Sequence, residues 1–161
     1  MRPGRVIAID LGEKNVGVAV SDELGITAQG LTCLERRSDQ GLLDELCCVI
    51  EEKQARLVVV GLPLKMSGEV GEKAREAMEF AEKLRERSGV AVSLWDERLT
   101  TKQAERSMLE GDLSRKKRKR RRDVIAAQLI LQSFLDTQAH STRTCEGTAN
   151  GTPSSAPRND D

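Results

Sequence analysis

Three acidic residues stand where a carboxylate is costly. Asp10 closes the apolar stretch Val6–Ile9, Glu97 follows the apolar segment that ends at Trp95, and Asp123 opens the last amphipathic segment. A carboxylate at the end of a buried strand needs a cation or hydrogen-bond donors to offset its desolvation. Each has a bland alternative. Asp10 could cap the turn before Lys14, Asp96 and Glu97 could be a polar strand end pairing with Arg98, and Asp123 could serve only its helix dipole, worth about 0.3–1 kcal/mol. Brought onto one rim, however, three carboxylates repel one another and require a compensating cation. No histidine or cysteine stands beside them in the sequence, so the donor set is all oxygen, which selects a hard ion, Mg²⁺ or Mn²⁺. Two such ions roughly 3.5–4 Å apart support in-line phosphodiester displacement, one activating water and the other steadying the leaving oxygen. Asp10, Glu97 and Asp123 are therefore the expected metal-ligating and catalytic residues, and no protein nucleophile is required.

Immediately before Asp123 runs an unbroken block of cations: Arg115, Lys116, Lys117, Arg118, Lys119, Arg120, Arg121 and Arg122. Such blocks are often merely solvated, but beside an acidic metal site they suit a polyanionic substrate through counterion release. Lys65, in the glycine- and proline-punctuated stretch Gly61–Gly68, and Arg98, beside Glu97, are further candidate phosphate contacts. Aromatics make up only 2% of the chain, so an aromatic stacking platform for bases is not expected. Recognition by backbone charge and shape follows, which favours duplex or structured nucleic acid.

The elements that must position these residues are legible in outline. The chain has 161 residues, 38% hydrophobic and 32% charged, which suits one domain with a modest core. Its 26 Lys and Arg balance 26 Asp and Glu, so distribution rather than net charge carries the information. The cysteines (Cys33, Cys47, Cys48 and Cys145) lack Cys-x-x-Cys spacing and read as reduced thiols, and the single histidine, His140, lies in a polar tail. No apolar run is long enough to span a membrane and no secretion signal opens the sequence, so a cytoplasmic protein is expected.

Val6–Ile9, Val16–Val20 and Ile26–Leu34 read as a β-meander with short turns. A helix is predicted over about 39–54, a strand over 57–60, and a helix over about 69–87 with Val70, Ala74, Ala77, Met78, Ala81 and Leu84 as its apolar stripe. A strand over Val90–Trp95 follows. Thr100 with Gln103 fits a capping box for a helix to Glu110, stopped by Gly111. A last helix is predicted over about 122–136. From Ala139 onward polar and small residues dominate, so residues 1–138 are expected to form the domain and 139–161 a disordered tail. The implied architecture is α/β, a five-stranded mixed sheet flanked by helices, with right-handed crossovers placing the fourth and fifth strands beside the first. The C-terminal ends of the first and fourth strands then share the rim where such folds bind ligands.

The stretch RVIAIDLGEKNVGVAVSD (5–22), with VVGLPL (59–64), DERLTT (96–101) and DVIAAQLILQ (123–132) in order behind it, resembles the YqgF/RuvX-type family. These are Holliday-junction-resolvase-like proteins also described as pre-16S rRNA nucleases. The resemblance covers about residues 5–136. It implies a ribonuclease H-like fold, divalent-metal-dependent nuclease chemistry, and maturation of the 5′ end of 16S rRNA in the cytoplasm during ribosome biogenesis. It assigns the acidic positions to Asp10, Glu97 and Asp123. Related junction resolvases often carry a second acid one turn into the last helix, where this chain has Ala126 and Ala127, and that departure favours structured RNA over branched DNA.

Two other readings compete with an RNA-maturing nuclease besides a junction-cutting DNA nuclease. An Asp-x-Gly turn after an apolar strand also resembles the phosphate loop of actin-like phosphotransferases, which measurable ATP turnover would reveal. A non-catalytic nucleic-acid-binding module assisting rRNA processing would keep the cations and dispense with the acids.

Overall fold

A computed structural model describes residues 4–100 and 114–149, with side chains through Ala139. The strands are β1 (Arg5–Leu11), β2 (Asn15–Ser21), β3 (Ala28–Glu35), β4 (Ala55–Leu62) and β5 (Ala91–Asp96), and the helices are α1 (Asp39–Lys53), α2 (Glu72–Ser88) and α3 (Arg115–Ala149). The sheet order is β3-β2-β1-β4-β5. β1 pairs antiparallel with β2 and parallel with β4, and β4 pairs parallel with β5. This is the expected mixed sheet, produced because tight turns join β1 to β3 while α1 and α2 carry the crossovers to β4 and β5.

Alternation along the strands divides the interior into two cores. Ile7, Ile9, Val16, Val18, Val58 and Val60 face α1 and α2, where they meet Leu42, Leu46, Ile50, Phe80 and Leu84. Val6, Ala8, Ala19 and Val59 face α3, where they meet Ala127, Ile130, Leu131, Phe134 and Leu135. Covered on both sides, β1 reads as a continuous apolar run rather than an alternating one. Ser38 caps α1, its Oγ accepting from the Gly41 N–H at 3.1 Å, and Gln54 ends it in the left-handed region at φ 53°.

Helix limits depart from expectation in informative ways. α2 begins at Glu72, so Val70 lies before it and is exposed, and Met78 is 40% exposed. Phe80, absent from the predicted stripe, is buried instead. α3 begins at Arg115 rather than Arg122, so the cationic block is helical and forms its first two turns. The same helix runs to Ala149, past the Asp136 end that composition indicated. Glu97–Leu99 forms a 3₁₀ turn with Asp96 as its cap. The helix predicted from Thr100 to Glu110 and its Gly111 stop fall almost wholly outside the described residues. No helix among the described residues is long and apolar enough to cross a membrane.

Candidate active site

Asp10 is the last inward-facing position of β1 on the α3 side, two and four residues past Ala8 and Val6. Its antiparallel partner is Gly17 on β2, and Gly17 in turn pairs with Cys33 on β3. On the other side, the step after the Ile9–Val60 pair brings Gly61 of β4 beside it, and Gly61 pairs with Trp95 of β5. Asp10 therefore stands in one lateral row of the sheet, flanked on both sides by glycine.

Both glycines are occupied from above. A Cβ built on Gly17 would lie 1.9 Å from the Asp123 carbonyl oxygen and 2.9 Å from the Val124 nitrogen, so the α3 backbone rests directly on β2 there. A Cβ on Gly61 would lie 2.6 Å from Glu97 Oε1 and 2.8 Å from Ile130 Cδ1, so the Glu97 carboxylate reaches over β4 toward the same row. Two side chains are missing from the sheet where two acid-bearing segments come down onto it. The acids stand out from the sequence alone, whereas these two glycines do not figure among the expected site residues. Their signal was available, because a glycine inside an otherwise β-branched strand often marks the close approach of another backbone.

Asp10, Glu97 and Asp123 are all half-buried. Asp123 and Asp10 both act electrostatically on Cys33. Burial chiefly raises that thiol's pKa, the hydrogen bond from Arg120 opposes the rise, and the two carboxylates reinforce it. The structure thus gathers the three predicted acids onto one face and one rim. As placed, the described residues contain no group of three or more His, Cys, Asp or Glu side chains that could hold a metal ion. What converges is the backbone placement and the all-oxygen donor type.

The predicted cationic contacts divide. Arg115 through Arg122 are exposed along the start of α3, and Arg120 Nη2 donates to the Cys33 carbonyl at 3.2 Å, fastening the helix over the end of β3. Lys65 is exposed in the loop after β4, its amide donating to the Glu69 carbonyl. Arg98 makes the local pair that was its bland alternative: Nε and Nη2 donate to the Asp96 carboxylate at 2.7–3.1 Å and Nη1 to the Met66 carbonyl at 3.3 Å. The Arg98 hydrogen bond holds the Asp96 carboxyl below the usual carboxylate range.

Arg36 was not singled out from the sequence, yet it buttresses this end of the sheet. Nη1 donates to the Gly12 carbonyl at 2.9 Å, Nε to Asp39 at 3.0 Å and Nη2 to Glu76 at 2.5 Å, with the side chain only 10% exposed. One guanidinium ties the turn that follows Asp10 to α1 and α2.

A five-stranded mixed sheet in this order, with helices packed on both faces, is the ribonuclease H-like fold of a nuclease. The fold agrees with that of Thermus thermophilus RuvC in complex with a Holliday junction substrate (TM-score 0.56, 15% identity, 84% of this chain and 96% of that one). It also agrees with the fowlpox virus resolvase bound to Holliday junction DNA (TM-score 0.54, 12% identity, 83% and 98%). The profile of the RuvX family, described as Holliday junction resolvase, matches residues 4–137. A protein of Clostridioides difficile named "Putative pre-16S rRNA nuclease" is 44% identical over 141 residues, spanning 88% of this chain and all of its own length. Another of that name from Syntrophomonas wolfei is 50% identical over 135 residues, 82% of this chain and 94% of its own. The chain belongs to the RuvX family.

Proposed function

We propose that this nuclease is a divalent-metal-dependent endonuclease acting on structured nucleic acid, and that its task is maturation of the 5′ end of pre-16S rRNA in the cytoplasm, with residues 1–138 as the nuclease unit. The observation that carries the reading is the seating of two acid-bearing segments on the glycines beside Asp10. That seating brings the Glu97 carboxylate and the start of α3 to the row that holds Asp10, and carboxylates sharing one rim are costly unless a cation lies among them.

The donor set fits Mg²⁺ or Mn²⁺ in type, since Asp10, Glu97 and Asp123 offer only carboxylate oxygens. These three residues would hold the metal. When bound it supplies an activated water and charge neutralisation at the leaving oxygen. The chain's own work is placement. Asp10 is fixed by a strand covered on both faces, Asp123 by a helix resting on Gly17, and Glu97 by a 3₁₀ turn locked through Asp96 and Arg98. The exposed cations from Arg115 to Arg122 draw in the phosphate backbone directly beside Asp123.

Structured RNA is favoured over a DNA junction at one position. Ala127 is fully buried against the sheet and Ala126 half-buried, so the turn after Asp123 presents packing surface instead of a further acid. The experiment is a side-by-side incubation of precursor 16S rRNA and four-way junction DNA, with and without Mn²⁺. Wild type is compared with Asp10→Asn and Glu97→Gln. Metal-dependent trimming of the RNA 5′ end that both variants lose is the expected result. Equal cutting by wild type and Asp10→Asn would refute the assignment.

A further inference from the structure

Beside Glu97 the fold leaves a cleft of about 610 Å³ between the loop after β4 and the 3₁₀ turn. That volume lies within the range of roughly 300–1,000 Å³ usual for small-molecule sites. Pro63, Leu64 and Met66 form one wall and Leu99 and Thr100 the other, with Glu97 between them. Two features are unexpected for a solvated cleft. Met66 and Leu99 are 90% and 62% exposed, although both are large apolar side chains. Thr100 Oγ1 is buried with no hydrogen-bond partner among the described residues.

We propose that this cleft takes a single unstacked nucleobase of the substrate, adjacent to the phosphate being cut. The proposal rests on the nuclease reading and extends it to the substrate's conformation. A flipped base needs two apolar surfaces to replace its lost stacking and a polar group at its edge. Met66 and Leu99 provide the surfaces without any aromatic ring, and the flexible thioether suits a base of either size. Thr100 lines the cleft, and its hydroxyl, buried without a partner, gains one at the base edge when its side chain turns outward. Because Glu97 is the wall common to the cleft and the acid rim, a base held here leaves its own phosphate at Asp10 and Asp123. The walls are held at a set spacing, since Arg98 joins the Asp96 carboxylate on one side to the Met66 carbonyl on the other.

The test uses the full chain in EDTA, so that binding is read without cleavage. The ligands are hairpin RNAs carrying 2-aminopurine at one position each, a base whose fluorescence rises when it leaves the stack. Wild type is expected to brighten one position, and the double variant Met66→Ser/Leu99→Ser to leave it dark. That variant should bind about five- to tenfold more weakly, the effect of removing one stacked base. Its salt dependence should be unchanged, because the cations of α3 are untouched. An RNA made abasic at the brightened position should bind wild type and variant alike, which separates a missing base interaction from a misfolded protein. RNA bound with no position brightened, or brightening that survives in the variant, would overturn the proposal. Loss of all RNA binding by wild type would remove the nucleic-acid reading and this site with it. Binding and brightening without cleavage in Mn²⁺ would refute the nuclease reading and leave the base site standing.

Discussion

Replacing Gly17 by alanine adds one methyl group at the point where α3 touches the sheet. That methyl would stand 1.9 Å from the Asp123 carbonyl oxygen and 2.3 Å from its carbon. Ordinary contact begins near 3.4 Å, so the helix must lift by about 1.5 Å or the β2 strand must sag by the same amount. The neighbour is helix backbone tied into its own hydrogen-bond ladder and cannot rotate aside. Overpacking usually costs about 1–3 kcal/mol, and a backbone neighbour puts this case near 3 kcal/mol. At roughly 2–4 °C per kcal/mol for a chain of this size, the melting temperature should fall by about 6–12 °C. Asp123 rides on the displaced turn, and a misplacement of about 1 Å typically costs on the order of 10²-fold in rate.

The chain's single tryptophan makes the displacement directly readable. Trp95 on β5 packs edge-on against Phe134 of α3, with ring centroids 5.7 Å apart and planes at 88°. Urea unfolding followed by Trp95 fluorescence and by helical circular dichroism should show the Gly17→Ala midpoint lowered, with the native fluorescence altered before unfolding begins. Gly61→Ala is the internal control. Its methyl would meet side-chain atoms, Glu97 Oε1 at 2.6 Å, Ile130 Cδ1 at 2.8 Å and Glu97 Cγ at 3.2 Å, which can shift where a helix backbone cannot, at a cost of about 1 kcal/mol. It should spare stability and still lower cleavage, because the group that moves is the Glu97 carboxylate. A Gly17→Ala protein within about 0.5 kcal/mol of wild type, with undiminished cleavage, would refute the claim that β2 and α3 meet backbone to backbone.

Arg36→Ala should destabilise the fold by about 2 kcal/mol in chemical denaturation, since it leaves the Gly12 carbonyl and two carboxylates without a charged donor. Arg36→Lys should recover less than half of that, because an ammonium cannot reproduce the fork. Burial alone would lower the pKa of Arg36, but hydrogen bonds to Glu76 and Asp39 raise it on balance, so the contribution should persist throughout the neutral range. The depressed carboxyl of Asp96 predicts acid sensitivity of defined sign. Its folded pKa lies below its unfolded value near about 3.9. Its contribution is therefore present above that pH and lost as pH falls through the folded value. Wild type and Asp96→Asn should differ in stability at pH 6, and the difference should shrink as pH falls below about 3.9 toward the folded value, as acid titrations of the unfolding midpoint would show. Neutralising Arg118 through Arg122 should flatten the salt dependence of RNA binding, the slope falling by about 0.7–0.9 for each phosphate left without its cation, as binding titrations across salt concentrations would measure. An unchanged slope would exclude the start of α3 from substrate contact.

How much of this was legible in the sequence follows from which forces decide each feature. Strand order and helix faces were readable because they depend on local apolar periodicity and crossover handedness, and both survive folding unchanged. The start of α3 was misjudged because eight like charges argue against an isolated helix, whereas a helix already nucleated on the sheet extends through them at little cost. Phe80 lies three residues after Ala77 and four before Leu84 and so shares their buried face, whereas Met78 is 40% exposed and Val70 precedes a helix that starts three residues later than its composition suggests. Arg36 was invisible for a different reason. Its partners Gly12, Asp39 and Glu76 come from three elements, and no spacing in the chain announces a contact assembled only in space. The glycines lie between these cases. Gly17 and Gly61 advertise a missing side chain, but only the fold shows that an acid-bearing segment fills each gap. That pairing makes the site a property of the sheet as much as of the acids. A carboxylate can be replaced and its role inferred from lost activity, whereas a methyl group on either glycine should displace a carboxylate that is still present.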